Sequence, residues 1–217
     1  MHHLTDDEQK KLRRFIHKRV LNPEDADDLL QLMDHLGIAR ADLVGHSTGG
    51  AIGQTLAIDH PDRIGRLVLS ATWTAADDYF KRLFTVRGDI LRDAGVEAYV
   101  RSHPVFMFPS SWVRDRFASI VAGEKAAIAS FPNPEIMLSR IQGILKFDRR
   151  DQLSSIKAPT LVIAARDDIT TPAYFSEELG RLIPNAETVI LDTGGHFFPI
   201  AEAETFRKPV LAFLDRA

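Results

Sequence analysis

No cysteine occurs among the 217 residues, which removes disulfides, thiolate metal sites and thiol nucleophiles together. Nor is there an apolar run of the length that crosses a bilayer or forms the hydrophobic part of a leader, so the expectation is a cytoplasmic chain with no membrane partner. A strong excess of charge of one sign is missing too. With 27 basic and 30 acidic side chains and a net charge of −3, the chain lacks the strong positive field of a nucleic-acid binder, and nucleic acid is not an expected partner. Its 8 histidines form no metal-spaced cluster with carboxylates, so neither a metal nor any other cofactor is expected. Repeats and low-complexity tracts are absent. What is present, 45% hydrophobic and 26% charged residues, suits one sizeable core with an embedded subdomain.

Helix and strand signals alternate along that chain. "LTDDEQKKLRRFIHKRV" reads as a basic amphipathic helix. "NPEDADDLLQLMDHLG" reads as a second helix, with Asn22 as cap, Pro23 in the first position, acids in the first turn and Gly37 closing it. The apolar run "ADLVGHS" (41–47), the helix "TGGAIGQTLAIDHP" (48–61) and the apolar run "IGRLVLSA" (64–71) make a β-α-β unit, the building block of a parallel sheet. From about 72 to 157 the strand signal vanishes and the sequence is helical and aromatic. Strand "APTLVIAARDD", helix "PAYFSEELGRLIP", strand "AETVILDTGGH" and a last helix "AEAETFRKPVLAFLDR" follow. The long middle is therefore an insertion between strands.

"VGHSTGG" (44–50) sits at the first strand-to-helix junction. A tight turn there needs small neighbours to push a serine hydroxyl out above the sheet, and Gly45 and Gly49 are expected to give that room to Ser47. Thr48 would supply a backbone N–H, beside the helix N-terminus, to a developing oxyanion. A serine is a poor nucleophile until a base takes its proton, so a histidine and a carboxylate are needed later in the chain. Asp167 and Asp168 follow the third strand, and His196 follows the fourth. The order Ser47, Asp168, His196 is that of an α/β-hydrolase. A capping serine between two glycines is the bland alternative.

"LVGHSTGGAIGQTLAIDHPDRIGRLVLSA", "PTLVIAARDDITTP" and "LDTGGHFFPIAEAETF" resemble the nucleophile, acid and histidine regions of the α/β-hydrolase superfamily. The likeness is in particular to small-molecule hydrolases related to 3-oxoadipate enol-lactonases and aminoacrylate hydrolases, over roughly residues 24–217. The resemblance implies a partial α/β-hydrolase fold, a mostly parallel sheet flanked by helices, with a helical lid at about 72–157 forming one wall of the pocket. It implies Ser47 as nucleophile, His196 as base and Asp168, four residues before Pro172, as acid. Asp167 then becomes a turn or surface residue, and Asp192 the fallback acid. His46 is expected near the pocket, with Trp73, Phe106, Phe108, Trp112 and Phe197 as candidate lining. Phe84 is a further candidate, though aromatics in an amphipathic lid are more often simply its core. His103, beside Pro104, reads as a loop histidine that either touches substrate or has no role.

The front of the chain departs from that family, whose members carry several strands and a His-Gly oxyanion loop there. Residues 1–22 read instead as an atypical helical segment, and "LRRFIHKRVLNPEDADDLLQ" is similar to part of the extracytoplasmic-function sigma factors. Two consequences are expected. One oxyanion donor is missing, which typically costs about 10²–10³ in turnover. The strand at 42–46 becomes an open edge, covered by the first helix, the lid, or a second copy in a homo-oligomer. Two functions follow: a serine hydrolase of a small ester, lactone or amide-like substrate, or a catalytically impaired remnant that acts as a binding protein.

Overall fold

The computed structural model describes residues 26–216. Helix α1 (Ala26–His35) leads into β1 (Ala41–His46), α2 (Thr48–Asp59) and β2 (Ile64–Ser70). Five lid helices follow: α3 (Asp78–Asp89), α4 (Gly95–Met107), α5 (Ser110–Asp115), α6 (Phe117–Ala129) and α7 (Pro134–Lys146). The chain then returns through β3 (Thr160–Ala165), α8 (Ala173–Leu182), β4 (Glu187–Leu191), the short α9 (Phe198–Ala201) and α10 (Ala203–Leu214). The four strands form one parallel sheet in the order β1-β2-β3-β4.

Side chains alternate between the two faces along the strands, except where the register of β2 against β1 shifts between Ile64 and Leu67. Ile64, Leu67 and Leu69 of β2 and Val162 of β3 point to a core shared with Leu30 of α1, Leu56 of α2 and Leu179 of α8. Val68, Leu161 and Ile163 point the other way, toward Phe198, Val210 and Phe213 of α9 and α10. A sheet covered on both faces is what parallel pairing requires. Pro209 stands inside α10 and Pro104 inside α4, so tertiary packing holds both helices through a residue that removes one backbone donor.

The lid has its own core, in which Trp73, Phe80, Leu83 and Phe84 meet Ile141, Ile144 and Phe147. Its two ends are tied together where Ala75 bridges Asp148 and the Arg149 N–H donates to the Thr74 carbonyl (3.1 Å). Among the described residues β1 pairs with β2 alone, and Val44 is 45% exposed. The expected first helix, the Asn22 cap and most of the sigma-factor-like stretch lie outside the described residues. No helix among the described residues is long and apolar enough to cross a membrane.

Candidate active site

Ser47 is the single residue between the end of β1 and the start of α2, and it takes φ 54° and ψ −118°. A non-glycine residue held there stores strain of roughly 1–3 kcal/mol. The surrounding backbone fixes it. Its N–H donates to the Ser70 carbonyl (2.7 Å), and its carbonyl accepts from Gly50 (2.9 Å) and Ala51 (3.3 Å). The need for small neighbours is real but is distributed differently from the sequence expectation. A Cβ on Gly45 would lie 2.3 Å from the Gly49 carbonyl oxygen, and one on Gly50 would lie 2.6 Å from Thr72 Cβ, whereas a Cβ on Gly49 meets nothing within 4 Å. Thr48, buried at the first position of α2, has an N–H with no acceptor inside the helix, which leaves it available to an anion.

Asp168 and His196 arrive from the ends of β3 and β4. Both are 3% exposed. His196 Nδ1 lies 2.8 Å from Asp168 Oδ2, and His196 Nε2 lies 3.0 Å from Ser47 Oγ. An ionised carboxylate only accepts, so the Nδ1 proton points to Asp168 and Nε2 is left to receive the Ser47 hydroxyl proton. Asp168 is itself tied down: its Oδ1 accepts from the backbone N–H groups of Thr170 (2.7 Å) and Thr171 (2.9 Å). The Thr171 hydroxyl lies 2.8 Å from Asp168 Oδ2, 3.1 Å from His196 Nδ1 and 3.0 Å from the Ala71 carbonyl. The sequence reading did not single out Thr171.

The loop carrying His196 is shaped by Gly194 (φ 126°) and Gly195 (φ 62°). Asp167 holds it: its carboxylate accepts from the Thr193 hydroxyl (2.6 Å), the Gly194 N–H (3.3 Å) and the Gly195 N–H (2.9 Å). Asp167 is exposed, as a turn residue should be, yet it braces the histidine loop. Asp192 is exposed at the end of β4 and shares no contact with His196.

A cavity of about 750 Å³ opens at this site, floored by Ser47, Thr48, His196 and Phe197 and walled by lid helices α3, α4, α6 and α7. His46 also lines it. Its Nδ1 lies 3.0 Å from Ser70 Oγ, and its ring centroid is 5.1 Å from that of His196. Burial, assisted by the neighbouring His196 and opposed by Asp168, pulls its pKa down to about 3. His46 is therefore a neutral wall residue. Of the aromatics expected at the pocket, Phe197 and Phe84 line it, but Trp73, Phe106, Phe108 and Trp112 do not. Trp73 is 1% exposed in the lid core, Phe106 packs against that core, and Phe108 stacks on Trp112 with ring centroids 3.8 Å apart. His103 is the reverse case. It lies within α4, not in a loop, and it faces the cavity. Among the described residues no group of three His, Cys, Asp or Glu side chains is arranged to hold a metal ion.

Comparison with known proteins shows the family. Residues 22–203 match the sequence profile of the alpha/beta hydrolase fold. A Caulobacter protein named "Putative carbamate hydrolase RutD" is 42% identical over 189 residues, covering 87% of this chain and 70% of that protein. The crystal structure of the enol-lactonase from Burkholderia xenovorans superposes with a TM-score of 0.80 at 29% identity, covering 90% of this chain and 74% of that one. A hydrolase from Pseudomonas aeruginosa superposes with a TM-score of 0.78 at 28% identity, covering 88% and 71%. The sigma-factor likeness gains no support from these relatives. By its profile, its relatives and its architecture, the chain belongs to the alpha/beta hydrolase fold family.

Proposed function

We propose that this hydrolase cleaves a small-molecule ester, lactone or amide-like bond by acylating Ser47. The observation that carries the reading is the unbroken series Ser47 Oγ, His196 Nε2, His196 Nδ1, Asp168 Oδ2, with steps of 3.0 and 2.8 Å, ending in a cavity. As Oγ attacks the carbonyl carbon, Nε2 takes its proton, and the Asp168 carboxylate stabilises the imidazolium. The Thr48 N–H meets the oxyanion that forms. The imidazolium then returns the proton to the leaving oxygen or nitrogen, the C–O or C–N bond breaks, and an acyl-serine remains. Water, deprotonated by Nε2, releases the acid and restores the hydroxyl.

The names of the relatives, a carbamate hydrolase and an enol-lactonase, support hydrolysis of a small carbonyl compound. A fluorophosphonate probe tests the nucleophile. The native chain should gain the probe's mass on the peptide containing Ser47, and Ser47→Ala should gain none. Persistent labelling of the alanine variant would remove Ser47 from the mechanism.

A further inference from the structure

The lid brings two guanidinium groups to the wall of the same cavity, from Arg87 on α3 and Arg140 on α7. Arg87 is only 7% exposed. An arginine stays charged at any ordinary pH, and one so deep normally meets a carboxylate. The partners of Arg87 among the described residues are neutral. It donates to the Tyr99 hydroxyl (3.1 Å) and to His103 Nδ1 (3.2 Å), and its guanidinium carbon lies 5.3, 5.5 and 5.5 Å from the ring centroids of Phe84, Tyr99 and Phe106. Arg140 is half-buried and makes no ion pair or side-chain hydrogen bond among the described residues. One carboxylate lines the cavity, that of Glu124, and it is shared with Arg101 at 3.6 Å.

His103 completes the cluster. Burial, with Arg87, His196 and Arg140 nearby, lowers its pKa to about 4, so it is neutral near pH 7. Arginine has no acceptor, so His103 Nδ1 must accept from Arg87, and the ring proton sits on Nε2 as a further donor. Burial also depresses the pKa of Arg87, and burial together with the neighbouring Arg87 depresses that of Arg140. Two like charges and a third donor thus share one cavity wall with no counter-ion of their own.

We infer that Arg87 and Arg140, with His103, form an anion subsite, and that the substrate cleaved at Ser47 carries a carboxylate on the portion that reaches under the lid. The inference rests on the hydrolase reading above for the cleavage and on the lid geometry for the anion. A guanidinium fork matches a carboxylate with paired hydrogen bonds. The ring of Phe197 lies 5.7 Å from that of His196, and the ring of His103, itself part of the subsite, lies 5.9 Å from that of Phe197. The carboxylate is therefore separated from the scissile carbonyl by several bonds, and a cavity of about 750 Å³ has room for such a chain. Half-esters and lactones of short dicarboxylic acids have this form. A carbamate ion, with no chain beyond the reacting centre, does not reach the lid.

The test compares mono-p-nitrophenyl glutarate with its methyl ester, which has the same reacting bond and no charge. The intact chain should prefer the acid in kcat/KM by about tenfold or more, the factor that roughly 1.4 kcal/mol represents. Arg140→Gln should reduce that preference by about tenfold, as should Arg87→Met, which keeps an unbranched apolar stem among the three rings. A preference at or below unity in the intact chain, or one unchanged in both variants, overturns the subsite. Calorimetry on Ser47→Ala separates this inference from the hydrolase reading. Monomethyl glutarate should bind and dimethyl glutarate should not, and Ser47→Ala/Arg140→Gln should bind neither. If neither ester is turned over but this binding pattern holds, the hydrolase reading falls and the subsite stands. If both esters are turned over alike and no anion binds, the subsite falls.

Discussion

The Thr171 hydroxyl lies 2.8 Å from Asp168 Oδ2 and 3.1 Å from His196 Nδ1, so one side chain touches both members of the carboxylate–imidazole pair. Its single proton can go to Asp168 Oδ2 or to the Ala71 carbonyl, while its lone pairs face the imidazole N–H. Thr171→Val keeps the shape and deletes these bonds. About 1 kcal/mol of lost orientation should lower kcat by roughly fivefold and leave KM nearly unchanged. Thr171→Ser should restore most of kcat. Equal loss in both variants would assign Thr171 to packing alone.

Asp168 and Asp192 also separate cleanly. Asp168→Asn keeps the volume but loses the acceptor that fixes the His196 tautomer, so kcat should drop by about 10⁴ with the fold intact by circular dichroism. Asp192→Asn should leave kcat within about twofold, because the side chain is exposed and makes no contact with His196. A dead Asp192→Asn enzyme beside an active Asp168→Asn enzyme would reverse the assignment.

Asp167 acts through backbone. Asp167→Ala removes the acceptor for Thr193, Gly194 and Gly195 at once. The histidine loop should loosen, seen as faster amide hydrogen exchange at Gly194 and Gly195 than elsewhere, together with a lower kcat. Unchanged exchange at those two amides would show that the glycine geometry holds the loop by itself.

The β-α-β unit, the last two strands, the helical stretch between β2 and β3 and the places of Ser47, Asp168 and His196 beyond strand ends were legible in the sequence because each depends on local pattern. Apolar runs of strand length end in the chemistry-bearing residues, and the long stretch between the second and third of them has no such run. The roles of Thr171 and Asp167 were not legible, since each acts on atoms that neighbouring loops bring near it only after folding. The lid aromatics were ambiguous for a related reason. Helical periodicity gives the buried stripe of α3 but not whether Phe84 on it, or Trp73 ahead of it, borders the cavity, and Trp73 went to the lid core. His103 and Arg87 became readable only when folding brought Arg87 of α3 within hydrogen-bond reach of Tyr99 and His103 of α4. A histidine next to proline suggests a loop, yet α4 runs on through Pro104 to Met107.

The sharp turn at Ser47, an elbow between β1 and α2, gives a stability test. Gly45→Ala forces a Cβ to 2.3 Å from a backbone oxygen that cannot swing aside, and Gly50→Ala forces one against Thr72. Each should cost at least about 1–3 kcal/mol of stability. Gly49→Ala meets open space inside a helix and should be neutral or stabilising by up to about 1 kcal/mol. Urea unfolding of the three variants reads this ranking directly. If Gly49→Ala is as damaging as Gly45→Ala, the elbow needs both flanking glycines after all.

His46 and His103 set the acid limit of the fold. Buried and neutral, they take protons in the folded chain near pH 3 and 4, against 6.5 for an unperturbed histidine. Below about pH 6.5 the unfolded chain therefore holds up to two more protons than the folded chain, so the free energy of unfolding falls as the pH falls. Above about pH 7 both states are neutral at these rings, and this source of slope disappears. The groups that oppose protonation differ: His196 for His46, and Arg87, Arg140 and His196 for His103, while Asp168 partly offsets the effect at His46. The urea midpoint should hold steady from about pH 8 to 7 and decline from about 6.5 to 5. His103→Gln can still accept from Arg87 through its side-chain oxygen, and His46→Asn can still bond Ser70, so both variants should fold and should each show a shallower decline than the parent chain. Slopes identical to the parent in both variants would move the acid sensitivity to other groups.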